Sequence, residues 1–279
     1  NKDRRPGGSL NVVPTTEPRH GATRAEGLQV LPVPGIPMIE AGDNLPETIT
    51  SGLNAAGLVL QDGDVLCLAQ KIVSKAEGQL VALSDIDPGP EAIELAERTD
   101  KDPRLVELIL RESTEVVRTK PGVLIVRHRL GLVGAHAGID QSNIPHGEGE
   151  DEYALLLPEE PDASAAKIRG ALEAASGARI GVVITDSSNR PWRLGTIGCA
   201  IGCSGIQVLD DQCGGTDLFG RELKVTLINR ADAIATAATL IMGETTEMTP
   251  VVIVRGLPLD QADETAASCI RPLDEDMFR

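Results

Sequence analysis

The sequence predicts an α/β fold with mixed sheets, and three observations point there. The core has to be built from Val, Leu, Ile and Ala, because the 279 residues include only one Trp, one Tyr and two Phe (Trp192, Tyr153, Phe219 and Phe278). Short apolar runs rich in β-branched residues recur along the chain, as buried strands require. Segments with helical spacing separate these runs, and a helix followed by a strand is the repeating step of α/β proteins. The length and a hydrophobic fraction of 41% suit a globular chain with a full core.

The elements are expected in this order. Residues 1–26 are polar and read as a flexible N-terminal tail. Residues 28–33 form a first strand, followed by the rigid turn Pro34-Gly35-Ile36-Pro37. Residues 46–58 have helical spacing at Ile49, Leu53 and Ala56, with Gly57 at the end. After the turn Asp62-Gly63-Asp64, residues 65–73 continue as one strand that includes Gln70 and Lys71, and Lys75 follows at its end. A lysine there can reach a phosphate, although lysines are mostly solvated. Residues 92–99 and 103–111 are two short acidic helices. Residues 115–118 and 123–127 are strands split by Pro121-Gly122.

Residues 131–143 (GLVGAHAGIDQSN) are rich in small side chains that allow close backbone approach, and the segment ends in Asp140 and Asn143. His136 precedes Asp140; with no partner in the sequence it reads as a structural histidine rather than a base. A flexible acidic loop is expected at 147–151 and a strand at 155–157. Pro161-Asp162-Ala163-Ser164 should cap a helix over 165–176. The segment 195–205 holds glycines among apolar residues and reads as a strand pair with tight turns. Residues 209–222 read as an acidic loop, 223–243 as an Ala-rich, mostly helical stretch, and 251–254 as a last buried strand. The polar residues 259–279 form an extended segment or linker.

The stretch that organises the chain is ARIGVVITDSSNRPWR, residues 178–193. A buried strand ends at Thr185, and Asp186, Ser187, Ser188 and Asn189 follow. Carboxylates and hydroxyls at a strand's end lie where open α/β sheets place ligands. Oxygen donors suit a hard cation, and Arg190 and Arg193 supply positive charge for a phosphate. An Asx-turn with solvated arginines is the competing reading. Asp140 repeats the context of Asp186: an apolar lead-in, a carboxylate, then small polar residues.

The formal net charge of −16 excludes nucleic acid as a partner, since no basic patch faces a phosphate backbone. A phosphate-bearing ligand then calls for a divalent cation between carboxylate and phosphate. The five cysteines are an odd number, with no signal-peptide pattern or zinc spacing, so a cytoplasmic setting is expected. No apolar run has membrane-spanning length. Neither the Rossmann fingerprint nor the P-loop is present.

Seven segments, taken together and in order, are similar to one known family. They are PVPGIP (32–37), QKIVSKAEG (70–78), AGIDQSN (137–143), LLLPEEPDASAAKIR (155–169), ITDSSNRPWR (184–193), DLFGREL (217–223) and GETTEMTPVVIVRG (243–256). The chain resembles the coenzyme F420-0:γ-glutamyl ligases. The resemblance implies a ligase domain over 27–258, with a fold distinct from P-loop and Rossmann proteins and an intertwined homodimer. It implies GTP-dependent joining of L-glutamate to F420-0 through an acyl phosphate, with further γ-linked glutamates. Two Mn²⁺ or Mg²⁺ ions are implied, with K⁺ as a further candidate ion. Carried over, Asp140 and Asp186 match metal carboxylates and Ser187 a hydroxyl on the second metal. Gln212 and Glu247 are candidates for further metal ligands. Pro34, Gly35 and Ile36 match the nucleotide loop, Asn143 a nucleotide contact and Lys75 the phosphate-side lysine. Arg193 joins the charge-neutralising set. Gln70 stands where the family often has a nucleotide-contacting serine. In some members a nitroreductase-like domain follows, and RPLDEDMFR (271–279) resembles the junction to it. The rival readings are a non-catalytic, metal-dependent binder of a phosphorylated ligand, and an amide ligase of this fold acting on another carboxylate.

Overall fold

The computed structural model describes residues 27–145, 152–189, 191–257, 262 and 264–276. The expected tail, the loop at 147–151, Arg190 and the last three residues lie outside them. In chain order the elements run β1 (Gln29–Pro32), α1 (Leu45–Ala55), β2 (Val65–Ala69), α2 (Gln70–Ala76), β3 (Leu80–Ala82), α3 (Pro90–Thr99) and α4 (Pro103–Arg111). Then come β4 (Ser113–Lys120), β5 (Val123–His128), β6 (Val133–Ala135), β7 (Tyr153–Leu155) and α5 (Pro161–Ser176). The chain continues through β8 (Gly181–Asn189), β9 (Thr196–Ser204), β10 (Leu209–Asp211), β11 (Leu227–Asn229), α6 (Arg230–Met242) and β12 (Val251–Arg255).

The main sheet is five-stranded in the order β1-β12-β2-β8-β9. β2 and β8 are parallel, and the other neighbours are antiparallel. Alternation along β2 builds a core on each face. Leu66 and Leu68 pack with Ile49 and Leu53 of α1 and with Ile168 and Leu172 of α5. Val65 and Cys67 pack with Ala231, Ile234, Ala235 and Ala238 of α6. The β-branched runs in β8 and β12 are buried because helices cover both sides.

β9 lets α6 come unusually close. A Cβ placed on Gly198 would stand 2.4 Å from the carbonyl oxygen of Ala235, so only glycine fits there. The small-residue run that reads as a strand pair with turns is therefore one continuous strand. Asp232 on α6 also accepts a hydrogen bond from the Ala200 amide at 2.8 Å, fixing helix to strand.

A separate apolar cluster joins α3, α4 and β5, including Leu95, Val106, Ile109, Leu124 and Val126. It lies between β3 and β7 in sequence and returns to the main body at a β-bridge between Asp140 and Leu155.

Several boundaries differ from expectation. Residues 65–73 are not one strand: β2 stops at Ala69, and Gln70–Ala76 is helical. Ile72 and Val73 extend the apolar run, and a short apolar run does not by itself separate strand from helix. The strand before Asp186 does not end at Thr185. It runs on to Asn189, because β9 supplies a ladder partner for each residue from Asp186 to Asn189 after a register shift at Ile184/Thr185. Beyond Thr185 β2 no longer pairs with it, so no apolar layer is needed and polar side chains are tolerated. Residues 209–222 are not wholly loop, since β10 pairs with β11. The strand expected at 155–157 lies at 153–155, and α5 begins four residues before 165. The C-terminal segment contains two short 3-10 turns, Ala266–Cys269 and Leu273–Glu275.

Candidate functional site

β1, β2 and β8 point the same way, since β1 and β2 both run antiparallel to β12 and β2 is parallel to β8. Their carboxyl ends meet at one edge of the sheet, where α/β proteins place ligands. A cleft of about 540 Å³ opens at that edge. It is formed by the loop after β1, by α2, by the far half of β8, by residues 143–145 and by the loop leading into β12. Its size suits a small-molecule ligand. The lining includes the apolar side chains of Ile36, Ile39, Ile144 and Pro250 and a charged wall of Lys71, Lys75, Asp186, Ser187 and Glu244.

The charged wall is crowded. Burial pushes the Asp186 carboxyl up to about 6; the Ser187 amide and the Lys71 charge oppose the rise, and the negative charges of Asp140 and Glu244 reinforce it. Burial also acts to raise Asp140, but the hydrogen bond and charge of Lys71, with two bonds from Ser142, outweigh it and hold this carboxyl below its ordinary value. Ser142 donates from both its amide and its hydroxyl to Asp140, each at 2.7 Å. Lys71 pairs directly with Asp140. Ser187 donates its hydroxyl to the two carboxylate oxygens of Glu244 at 2.8 and 2.6 Å. Lys75 donates to the Asn143 carbonyl at 2.8 Å, and burial, aided by the nearby Lys71 charge, lowers its pKa.

Two buried polar atoms on this cleft have no partner. Gln70 and Thr185 are 2% and 3% exposed, and Gln70 Nε2 and Thr185 Oγ1 form no hydrogen bond. The Gln70 carbonyl oxygen accepts from Ser74 at 2.9 Å, which fixes the amide with its donor end free. Buried polar groups are normally satisfied, so two orphans on residues that line one cleft fit a site for a polar ligand.

The donor chemistry suits a hard divalent cation, since Asp140, Asp186, Ser187 and Glu244 all offer oxygen. These groups do not close around one point, however: among the described residues, no set of three His, Cys, Asp or Glu is gathered as a metal site. Lys71 holds Asp140 and Ser187 holds Glu244 instead.

The structure thus brings Gln70, Lys75, Asn143, Asp186 and Ser187 to one cleft; Asp140 is not part of its lining but is paired with Lys71, which is. Ile36 lines it, and Pro34 and Gly35 precede Ile36 in the same loop. Glu247 also lines the cleft, but its carboxylate accepts from the amide and hydroxyl of Thr245 and so organises its own loop. Gln212 lies at the end of the β10 arm, where it donates to Asp210, and Arg193 is exposed in the turn between β8 and β9; neither lines the cleft. His136 does not line it either, and burial and the Lys101 charge lower its pKa. Sequence reasoning missed Lys71 and Glu244. For Glu244 the available signal was a carboxylate directly after the glycine that ends α6.

A family model described as F420-0:Gamma-glutamyl ligase matches residues 35–256. A Methanopyrus kandleri protein named coenzyme F420:L-glutamate ligase is 46% identical over 256 residues, covering 90% of this chain and 98% of its own. A Methanothermobacter thermautotrophicus protein of the same name is 43% identical over 255 residues, 91% of this chain and 99% of its own. One from Archaeoglobus fulgidus is 40% identical over 252 residues, with coverage of 90% and 96%.

Proposed function

Since the chain belongs to the F420-0:gamma-glutamyl ligase family, whose named relatives are ligases, we propose that it joins L-glutamate to F420-0 with GTP as co-substrate and extends the product through γ-linked glutamates. The observation that carries this reading is the gathering of Asp186, Glu244, Lys71 and Lys75 on one cleft, with Asp140 paired to Lys71 and two buried polar groups left unsatisfied.

A carboxylate is a poor electrophile and must be activated before it forms an amide. A carboxylate oxygen of F420-0 attacks the γ-phosphorus, the bond to the bridging oxygen breaks, and GDP leaves with that electron pair. The glutamate amine then attacks the acyl carbon, releasing inorganic phosphate and losing a proton. The protein's part is positioning and charge neutralisation. The loop from Pro34 to Ile39 and Asn143 seat the nucleotide, Lys75 faces its phosphates, and the Gln70 amide offers a further donor. Mn²⁺ or Mg²⁺ held by Asp140, Asp186, Ser187 and Glu244 would neutralise phosphate charge at the transferring group.

The enzyme works as a homodimer in the cytoplasm. Support for the dimer comes from large apolar side chains on two projections: Trp192 and Leu194 after β8, and Leu218, Phe219 and Val225 between β10 and β11, each at least 88% exposed. Arg193 and Gln212 stand on these projections, available to the cleft of a second copy. Among the described residues no helix is long and apolar enough to cross a membrane.

The test is GDP release that requires both F420-0 and glutamate. Asp186→Asn is expected to lower it on the order of 10³-fold with the fold intact. Near-normal turnover of that variant at saturating Mn²⁺ would contradict the site, and equal turnover with other acceptors would contradict the substrate.

A further inference from the structure

We infer that Lys71 is a place-holding cation: its ammonium pairs with Asp140 and makes capture of a divalent cation depend on an anionic phosphate ligand arriving with it. The inference rests on the metal site of the proposed function and goes beyond it. Lys71 lines the cleft, whereas Asp140, its partner, does not reach the wall. The ammonium therefore already holds a carboxylate oxygen that a cation bound at Asp140 would need. Lys71 also acts electrostatically on Asp186 and on Lys75, so it is central to the charged wall. Both members of the pair are partly buried, at 27% side-chain exposure each, so solvent screens the contact only in part.

Charge balance gives the consequence. Asp140, Asp186 and Glu244 against Lys71 and Lys75 leave the ionised cluster with about one net negative charge. A lone divalent ion has to displace an ammonium and would leave the partly buried wall positive. A di- or triphosphate entering with the ion brings more than enough negative charge to offset the excess and gives the freed ammonium a new anionic partner. The unpartnered Gln70 Nε2 and Thr185 Oγ1, on residues that line the same cleft, independently fit a site built for a polar ligand. Metal and nucleotide are thereby thermodynamically coupled through Lys71, each tightening the other.

The experiment is Mn²⁺ titration of the full chain followed by electron paramagnetic resonance, with and without GDP. The wild type should bind Mn²⁺ weakly alone and tightly with GDP. Lys71→Gln should tighten GDP-free Mn²⁺ binding by on the order of tenfold or more and shrink the gain from GDP. Lys71→Arg, which keeps the charge, should behave as the wild type, and circular dichroism verifies that both variants are folded. GDP-free binding no tighter in Lys71→Gln than in the wild type would overturn the inference while leaving the metal site standing. Wild-type Mn²⁺ binding with GDP that survives Asp186→Asn undiminished would instead overturn the metal site, and this inference with it.

Discussion

The hydroxyl of Ser187 on β8 donates to the carboxylate of Glu244, 57 positions further along the chain, at 2.6 and 2.8 Å. The contact ties the overhanging half of β8 to the loop after α6 and fixes one carboxylate of the charged wall. A hydrogen bond to an ionised group contributes about 1.5–3 kcal/mol. Ser187→Ala is accordingly expected to lower kcat/KM by about 10- to 100-fold. Its melting temperature should barely move, because the pair is exposed. Steady-state kinetics and a thermal melt give both readouts, and unchanged kinetics would remove Ser187 from the site.

Asp186 should make the metal-free protein less stable as pH rises. Its carboxyl sits at about 6 in the folded protein, against about 3.9 in an unfolded chain. Between those values the native state binds a proton that the unfolded state has released, so stability falls from about pH 4 to about pH 6 and stays lower above. A gap of about two units corresponds to at most about 3 kcal/mol. In chelator, Asp186→Asn should therefore outlast the wild type against denaturant at pH 7.5, and the difference should vanish near pH 4. Asp140, held low, titrates in both proteins and cancels. An equal difference at both pH values would show that burial does not perturb Asp186.

Gly198→Ala should destabilise the main sheet by about 3 kcal/mol. Its new methyl group would meet the Ala235 carbonyl at 2.4 Å, and that atom belongs to helix backbone, which cannot rotate away. Urea unfolding measures the loss. A cost under about 0.5 kcal/mol would mean that α6 slides freely on β9.

The helices were legible where periodicity and punctuation agreed. Residues 103–111 carry an N-cap aspartate, a proline at the first turn and an apolar face, and the helix has those bounds. Gln70 and Lys71 were misplaced because VLCLAQKIV contains no breaker, and only the change from period 2 to helical spacing marks the boundary. Asp140 and Asp186 could be singled out from local context and resemblance. That Glu244 joins them depends on β12 lying between β1 and β2, a strand order that no local pattern encodes. The partnership of Lys71 with Asp140 is equally non-local, spanning 69 positions.

β8 is secured on both sides only as far as Thr185; from Asp186 to Asn189 it has β9 alone for company. Amide protons of the first half should accordingly resist deuterium for far longer than those of the second, with the break falling one residue before the acidic side chain. The molecule thus presents its chemistry on a pliable extension of a stiff strand. Anything that bridges this extension to the α2 side of the cleft would quench its fluctuations and slow that exchange.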